Sequence, residues 1–300
     1  MEFTEQFRKP PEAVMPPPGR DNSLERLEIV PSGGPTGAEI KGVDLSKPIS
    51  EDVAAALKQA WTDHLVLVFR DQKLEQRNYL DTVRLFGEPV ANGAKHLYAT
   101  LGDKSLWHAM DYDEVSMLSN LDDDGKPTVS NAGLGSLEVV WHSDNSYIET
   151  PPAGSTLYSV AIPRDDSGQT SFSNQYMAYD DLPSDLLKEI KGRWAKQDAT
   201  RNSANVLKPG VKEPTCPEEV PGPFHPLVWV HPVSGKKHSI LAAVAPGRHN
   251  TLKECRAMTA RICWTGFGPT QRKPNTLGPI NGGWVILLFG KTVVPCTDVK

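Results

Sequence analysis

Trp141-His142-Ser143-Asp144 brings together residue types that bind metals, at the end of an apolar stretch read as a strand, Val139 to Trp141. On a strand, residues two apart point to the same side. His142 and Asp144 can therefore aim an imidazole and a carboxylate at one point. That pair is two-thirds of a two-histidine, one-carboxylate facial triad, which holds Fe(II) by one face and leaves positions open for oxygen and a co-substrate. An isolated His-x-Asp also occurs as a surface pair or a helix cap, so its surroundings carry the weight. Asn120 and Tyr147 lie near the pair in sequence and are candidates to touch substrate. Loop asparagines and buried tyrosines also serve purely structural ends. His225 and His231 flank prolines and read as structural. A metal hydrolase built on His142 and Asp144 would need further histidine or carboxylate ligands, and no motif supplies them. No nucleophile elbow, P-loop or dinucleotide fingerprint appears.

The elements that must position this pair are short. Leu27 to Val30 and Ala38 to Leu45 read as strands separated by the turn Ser32-Gly33-Gly34-Pro35. Ser50 is a good helix N-cap, followed by Val53, Leu57, Ala60 and Trp61 at helical spacing. Leu65 to Phe69 is wholly apolar and reads as a buried strand. Tyr79, Leu80, Val83 and Phe86 mark a second amphipathic helix, stopped by Gly87 and Pro89. Residues 91–135 are polar and loop-rich, as in a lid or entrance. Strand signals return at Thr156 to Ile162, Thr170 to Phe172 and Leu227 to Val230. Tyr179 to Trp194 reads as one helix, with Leu182, Leu186, Leu187 and Ile190 on a face. The expected class is mainly β with flanking helices (α+β), without internal repeats.

Composition narrows the function classes. The chain has 300 residues, 38% hydrophobic and 23% charged, as in globular proteins. No apolar run approaches the roughly 20 residues that span a bilayer. Residues 1–24 read as a disordered, proline-rich tail, with no apolar core of the kind an export signal needs, so the expected compartment is the cytoplasm. Cys216, Cys255, Cys263 and Cys296 show no paired spacing and read as unpaired thiols. The net charge of −5 hides an asymmetry: residues 238–300 carry +6 and residues 1–237 carry −11. The basic residues near the C-terminus form no stripe and have no stacking aromatics, so no nucleic acid and no membrane is expected as partner. A small-molecule substrate is expected, and the sequence leaves room for a homo-oligomer.

Several ordered motifs add up to a resemblance. VVWHSDNSY, PPAGSTLYSVAIP and SGQTSFSNQYMAYDDLP, with GAEIKGVDLSKPIS and HLVLVFRDQKL before them and FHPLVWVHPVSGKK after, resemble the TauD/TfdA family of taurine and 2,4-dichlorophenoxyacetate dioxygenases. The likeness runs from about Leu27 to Lys237. It implies a double-stranded β-helix, a relative of the jelly roll, with iron at one mouth. It implies an Fe(II)- and 2-oxoglutarate-dependent dioxygenase that hydroxylates a small, anionic organic substrate. 2-Oxoglutarate would be decarboxylated to succinate and carbon dioxide, with O2 as the other co-substrate. His142 and Asp144 match the family's iron ligands, and Thr170 matches a threonine that contacts 2-oxoglutarate. Trp229 stands where relatives often carry arginine, so substrate contacts do not carry over there.

The resemblance fails beyond Lys237. The family places a second histidine ligand in a W-(D/E)-N-R-x-x-x-H motif and an arginine for 2-oxoglutarate beyond it, and neither is present. Residues 238–300 are therefore read as anomalous, with the last strands expected to be missing or non-native, and an inactive, frame-shifted family member as the alternative function. The genetic code sharpens this reading. Starting on the last base of each codon, Phe289 to Val299 allow W-E-N-R-C-T-M-H-R-R, with the histidine straddling Cys296 and Thr297.

Overall fold

A computed structural model describes residues 22–90, 111–116, 142–160, 170–201, 207–208, 210–239, 275–276 and 285–289. Asn120, Trp141, most of the segment read as a lid and the proline-rich tail lie outside these residues. Strands β1 (Glu28–Pro31) and β2 (Ala38–Lys41) form an antiparallel hairpin. Helix α1 (Glu51–His64) then returns the chain so that β3 (Val66–Phe69) lies parallel to β2. A parallel pair needs such a crossover. The helix face read from the sequence is the one that is buried: Val53, Leu57, Ala60 and Trp61 pack with Ala38, Ile40, Leu67 and Phe69. Leu65 ends α1 in the left-handed region, at φ 67°, with its N–H donating to the Trp61 carbonyl. All four residues of β3 are buried, as an unbroken apolar run requires.

Helix α2 (Gln76–Phe86) packs its Phe86 ring edge-on against Trp61, with centroids 5.2 Å apart. Between β3 and α2 the buried Gln72 is fully used. Its Nε2 donates to the carbonyls of Val43 and Arg70, and its Oε1 accepts the N–H of Leu45. Strand β4 (Gly154–Tyr158) is tied to this region by side chains. The Tyr158 hydroxyl accepts the Leu74 N–H at 3.1 Å, and the Tyr79 hydroxyl donates to the Thr156 carbonyl.

The remaining elements form small sheets. Strand β5 (Ser171–Phe172) pairs with β10 (Asn275–Thr276), β6 (Trp194–Lys196) with β7 (Phe224–Pro226), and β8 (Val228–Val230) with β9 (Lys237–Ser239). Strand β11 (Val285–Phe289) lies antiparallel between β3 and β4, giving a five-stranded order β1-β2-β3-β11-β4. The closing strands were expected to be missing or non-native; β11 is present, and its apolar sequence Val-Ile-Leu-Leu-Phe lies between two strands that would otherwise each present an open edge.

The single helix read over Tyr179 to Trp194 is also corrected. It is two helices, α3 (Gln175–Asp180) and α4 (Ser184–Ile190), followed by strand β6. Pro183 drives the preceding residue out of the helical region and starts the second helix instead. Gly192, at φ 74°, turns the chain into the strand. Among the described residues no helix is long and apolar enough to cross a membrane.

Candidate metal centre

The His142 and Asp144 side chains converge. His142 Nε2 lies 3.2 Å from Asp144 Oδ1. Two donors on adjacent corners of a metal's coordination shell, with bonds of about 2.1 Å, would stand about 3.0 Å apart. The observed spacing and the nitrogen-plus-carboxylate chemistry both fit a borderline divalent cation. Without a metal the same contact is a charge-assisted hydrogen bond. Among the described residues no cluster of three or more His, Cys, Asp or Glu side chains stands ready to hold an ion, so the third ligand is not among them.

Asp144 is held from its other side as well. Its Oδ2 accepts the Ser155 hydroxyl at 2.7 Å. Ser155 belongs to β4, which is anchored by Tyr79 of α2 and by the bond of its own Tyr158 hydroxyl to Leu74, so the carboxylate is oriented by the main sheet. Burial pushes the Asp144 carboxyl up, but hydrogen bonding and charge from His142, with the Ser155 hydroxyl, outweigh it and hold it below its ordinary value. The group is an anion ready to ligate.

The turn after Asp144 is fixed from below. Asn145 takes a left-handed conformation at φ 50°, and its carbonyl accepts the Ile148 N–H at 3.2 Å. The buried His225 on β7 has its Nε2 3.0 Å from the Ile148 carbonyl, so that nitrogen carries a proton and donates. The other hairpin histidine is used differently. His231 Nδ1 accepts the N–H groups of Val233 and Ser234 and closes the turn between β8 and β9. Burial lowers its pKa.

Tyr147 sits on the Asp144 turn with its hydroxyl donating to Asn145 Oδ1 at 2.9 Å, and the Lys208 ammonium lies 3.6 Å from its ring centroid. Thr170 leads into β5, and no hydrogen bond joins it to His142 or Asp144 among the described residues. Sequence reasoning gave Ser155 and Lys208 no role and read His225 as structural, in keeping with its bond to the Ile148 carbonyl. All three act on the turn from elsewhere in the chain, and no local spacing marks them.

Comparison with known proteins places this geometry in context. A Pseudomonas putida protein named alpha-ketoglutarate-dependent sulfate ester dioxygenase is 30% identical over 220 residues, which cover 70% of this chain and 64% of that protein. The chain thus spans a little under two-thirds of that relative. The alpha-ketoglutarate-dependent 2,4-dichlorophenoxyacetate dioxygenase of Cupriavidus pinatubonensis is 29% identical, over 69% of this chain and 70% of the relative. Among solved structures, AAD-2 in complex with Mn(II) and N-oxalylglycine superposes with a TM-score of 0.67 at 22% identity, covering 91% of this chain and 92% of that one. A taurine dioxygenase from Burkholderia xenovorans gives 0.63 at 20% identity, covering 90% and 82%. These structures share the fold of mixed strands and helices. The profile of the taurine catabolism dioxygenase TauD, TfdA family matches residues 28–261, across β1, the His142–Asp144 pair and the β8–β9 hairpin, and the chain belongs to that family.

Proposed function

We propose that the protein is an Fe(II)- and 2-oxoglutarate-dependent dioxygenase that hydroxylates a small anionic organic substrate. The observation that carries this reading is the 3.2 Å convergence of His142 Nε2 and Asp144 Oδ1 in a chain of this family. His142 and Asp144 hold the metal, Thr170 contacts 2-oxoglutarate, and Asn120 and Tyr147 border the substrate. The site lies at one mouth of a double-stranded β-helix. Bound iron supplies the oxidising chemistry, in which 2-oxoglutarate and O2 give succinate, carbon dioxide and a hydroxylated substrate. The chain's own residues orient the donors. Ser155 aims one carboxylate oxygen of Asp144, His225 fixes the turn that follows, and His142 presents an unprotonated Nε2 when Nδ1 carries the proton. The names of relatives as a sulfate ester dioxygenase and a 2,4-dichlorophenoxyacetate dioxygenase favour an oxyanion-bearing substrate.

We take residues 25–237 as the part of the domain written in the family's frame, and the third ligand as encoded one base out of frame from about Lys237 onward. Both frames put an apolar strand at β11: the bases of Ile286 to Gly290 read one base out allow Leu-Val-Ile-Trp. Only CAC or TAC is available across Cys296 and Thr297, so the nucleotide sequence there decides between the ligand histidine and a tyrosine. The functional test compares this chain with one translated in the shifted frame after Lys237. Succinate formation dependent on Fe(II) and 2-oxoglutarate is expected from the shifted-frame chain. Its absence from both chains would overturn the dioxygenase reading.

A further inference from the structure

We infer that Lys208 is the residue that receives the oxyanion of the substrate, with the Tyr147 ring as the floor of that subsite. The inference rests on the dioxygenase reading and names a residue for it. Both partners are fixed independently, on separate stretches of chain. Lys208 stands beside an isolated antiparallel bridge between Arg201 and Leu207. Its N–H donates to the Thr200 carbonyl at 2.8 Å, its carbonyl accepts the Val211 N–H at 3.1 Å, and the adjacent Leu207 bridges to Arg201. Tyr147 is fixed by its hydroxyl bond to Asn145 and by the His225 clamp on Ile148.

The two cations beside this bridge are used differently. Arg201 Nη2 contacts both carboxylate oxygens of Glu213, at 2.7 and 2.5 Å, so its charge is matched. Among the described residues no carboxylate lies within ion-pair distance of the Lys208 ammonium. Asp198 acts on it only at longer range, and Asp198 Oδ1 is already taken by the N–H and hydroxyl of Thr200. Burial lowers the Lys208 pKa, and Asp198 offsets this only in part. A half-buried ammonium over an aromatic face keeps N–H donors that the ring does not use. A carboxylate or sulfate monoanion satisfies them.

The placement suits a substrate of this class. Tyr147 follows Asp144 by three residues, so their Cα atoms are at most about 11 Å apart. An anion on Lys208 would be held against Tyr147, on the turn that carries Asp144. Lysine reads an oxyanion as a point charge without demanding bidentate geometry, so carboxylates and sulfates are both accepted.

The test is calorimetric titration of the full chain, loaded with Mn(II), with hexyl sulfate, phenoxyacetate and the neutral methyl ester of phenoxyacetate. Wild type is expected to bind one or both anions and not the ester. K208M and K208Q are each expected to weaken anion binding at least tenfold, while K208R keeps it within about threefold. The expected losses come with unchanged Mn(II) uptake and thermal midpoint. Hexyl sulfate against phenoxyacetate separates a sulfate from a carboxylate substrate. Anion binding equal in wild type, K208M and K208Q overturns the inference and leaves the dioxygenase reading standing. Mn(II) uptake with no anion binding by wild type does the same. Failure of both this chain and the shifted-frame chain to bind either Mn(II) or an anion removes both.

Discussion

Replacing Ser155 by alanine removes one hydroxyl from the main sheet and tests whether the sheet orients the candidate metal ligand. The bond at stake is 2.7 Å long and charge-assisted. Hydrogen bonds to charged groups are worth about 1.5–3 kcal/mol. The Asp144 side chain is 41% exposed, so water can partly replace the hydroxyl, which selects the lower end of that range. A loss of about 1.5 kcal/mol corresponds to about tenfold in affinity, at the low edge of what supporting residues of metal sites contribute. The expected result is a Mn(II) dissociation constant raised about tenfold in Ser155→Ala, read by electron paramagnetic resonance of the free ion. Ser155→Thr retains the hydroxyl on a residue that suits a strand, and its affinity should stay within about threefold of wild type. Thermal midpoints within about 3 °C across the set would exclude unfolding as the cause. If Ser155→Ala binds Mn(II) as tightly as wild type while Asp144→Ala does not bind it, Ser155 has no orienting role and the reasoning fails.

Three further outcomes follow from the geometry around the site. Gly222 sits at φ +127°, and a Cβ there would stand 1.8 Å from the Gln197 carbonyl oxygen, so Gly222→Ala should cost at least about 2 kcal/mol, read as a lower urea midpoint. His225→Phe keeps a ring against Trp229 but cannot donate to the Ile148 carbonyl. It should destabilise by about 1–3 kcal/mol and weaken Mn(II) binding, and unaltered metal affinity would show that the clamp does not position Asp144. Because burial depresses the His231 pKa, that residue's contribution to stability is complete above its unfolded value of about 6.5 and is lost as pH falls through the lower folded value. Between about pH 7.5 and 5.5 the wild-type thermal midpoint should therefore drop further than that of His231→Gln, and equal drops would refute the assignment.

What the sequence made legible divides along a physical line. The face of α1 and the buried run of β3 are written within a few residues of themselves, because helix and strand periodicities are local. The convergence of His142 and Asp144 is local too, but Asp144 reaches it from a turn, not a strand. The break between α3 and α4 was also local. Pro183 announced it, but the apolar repeat of Leu182, Leu186 and Ile190 spans the break and imitates one continuous helix. What stayed hidden depends on chain closure. Strand β11 finds its place against Val66–Phe69 more than two hundred residues earlier, where its apolar character decides that it pairs but not with which strands. The same limit applies at the site. Ser155, His225 and Lys208 reach the Asp144 turn from three separate stretches of the chain, and although Ser155 and His225 fall within family motifs, nothing near them in sequence marks that contact. The candidate metal pair was readable because its two members stand two residues apart. The groups that orient it and the cation placed to choose its substrate were not, because each belongs to a different part of the fold.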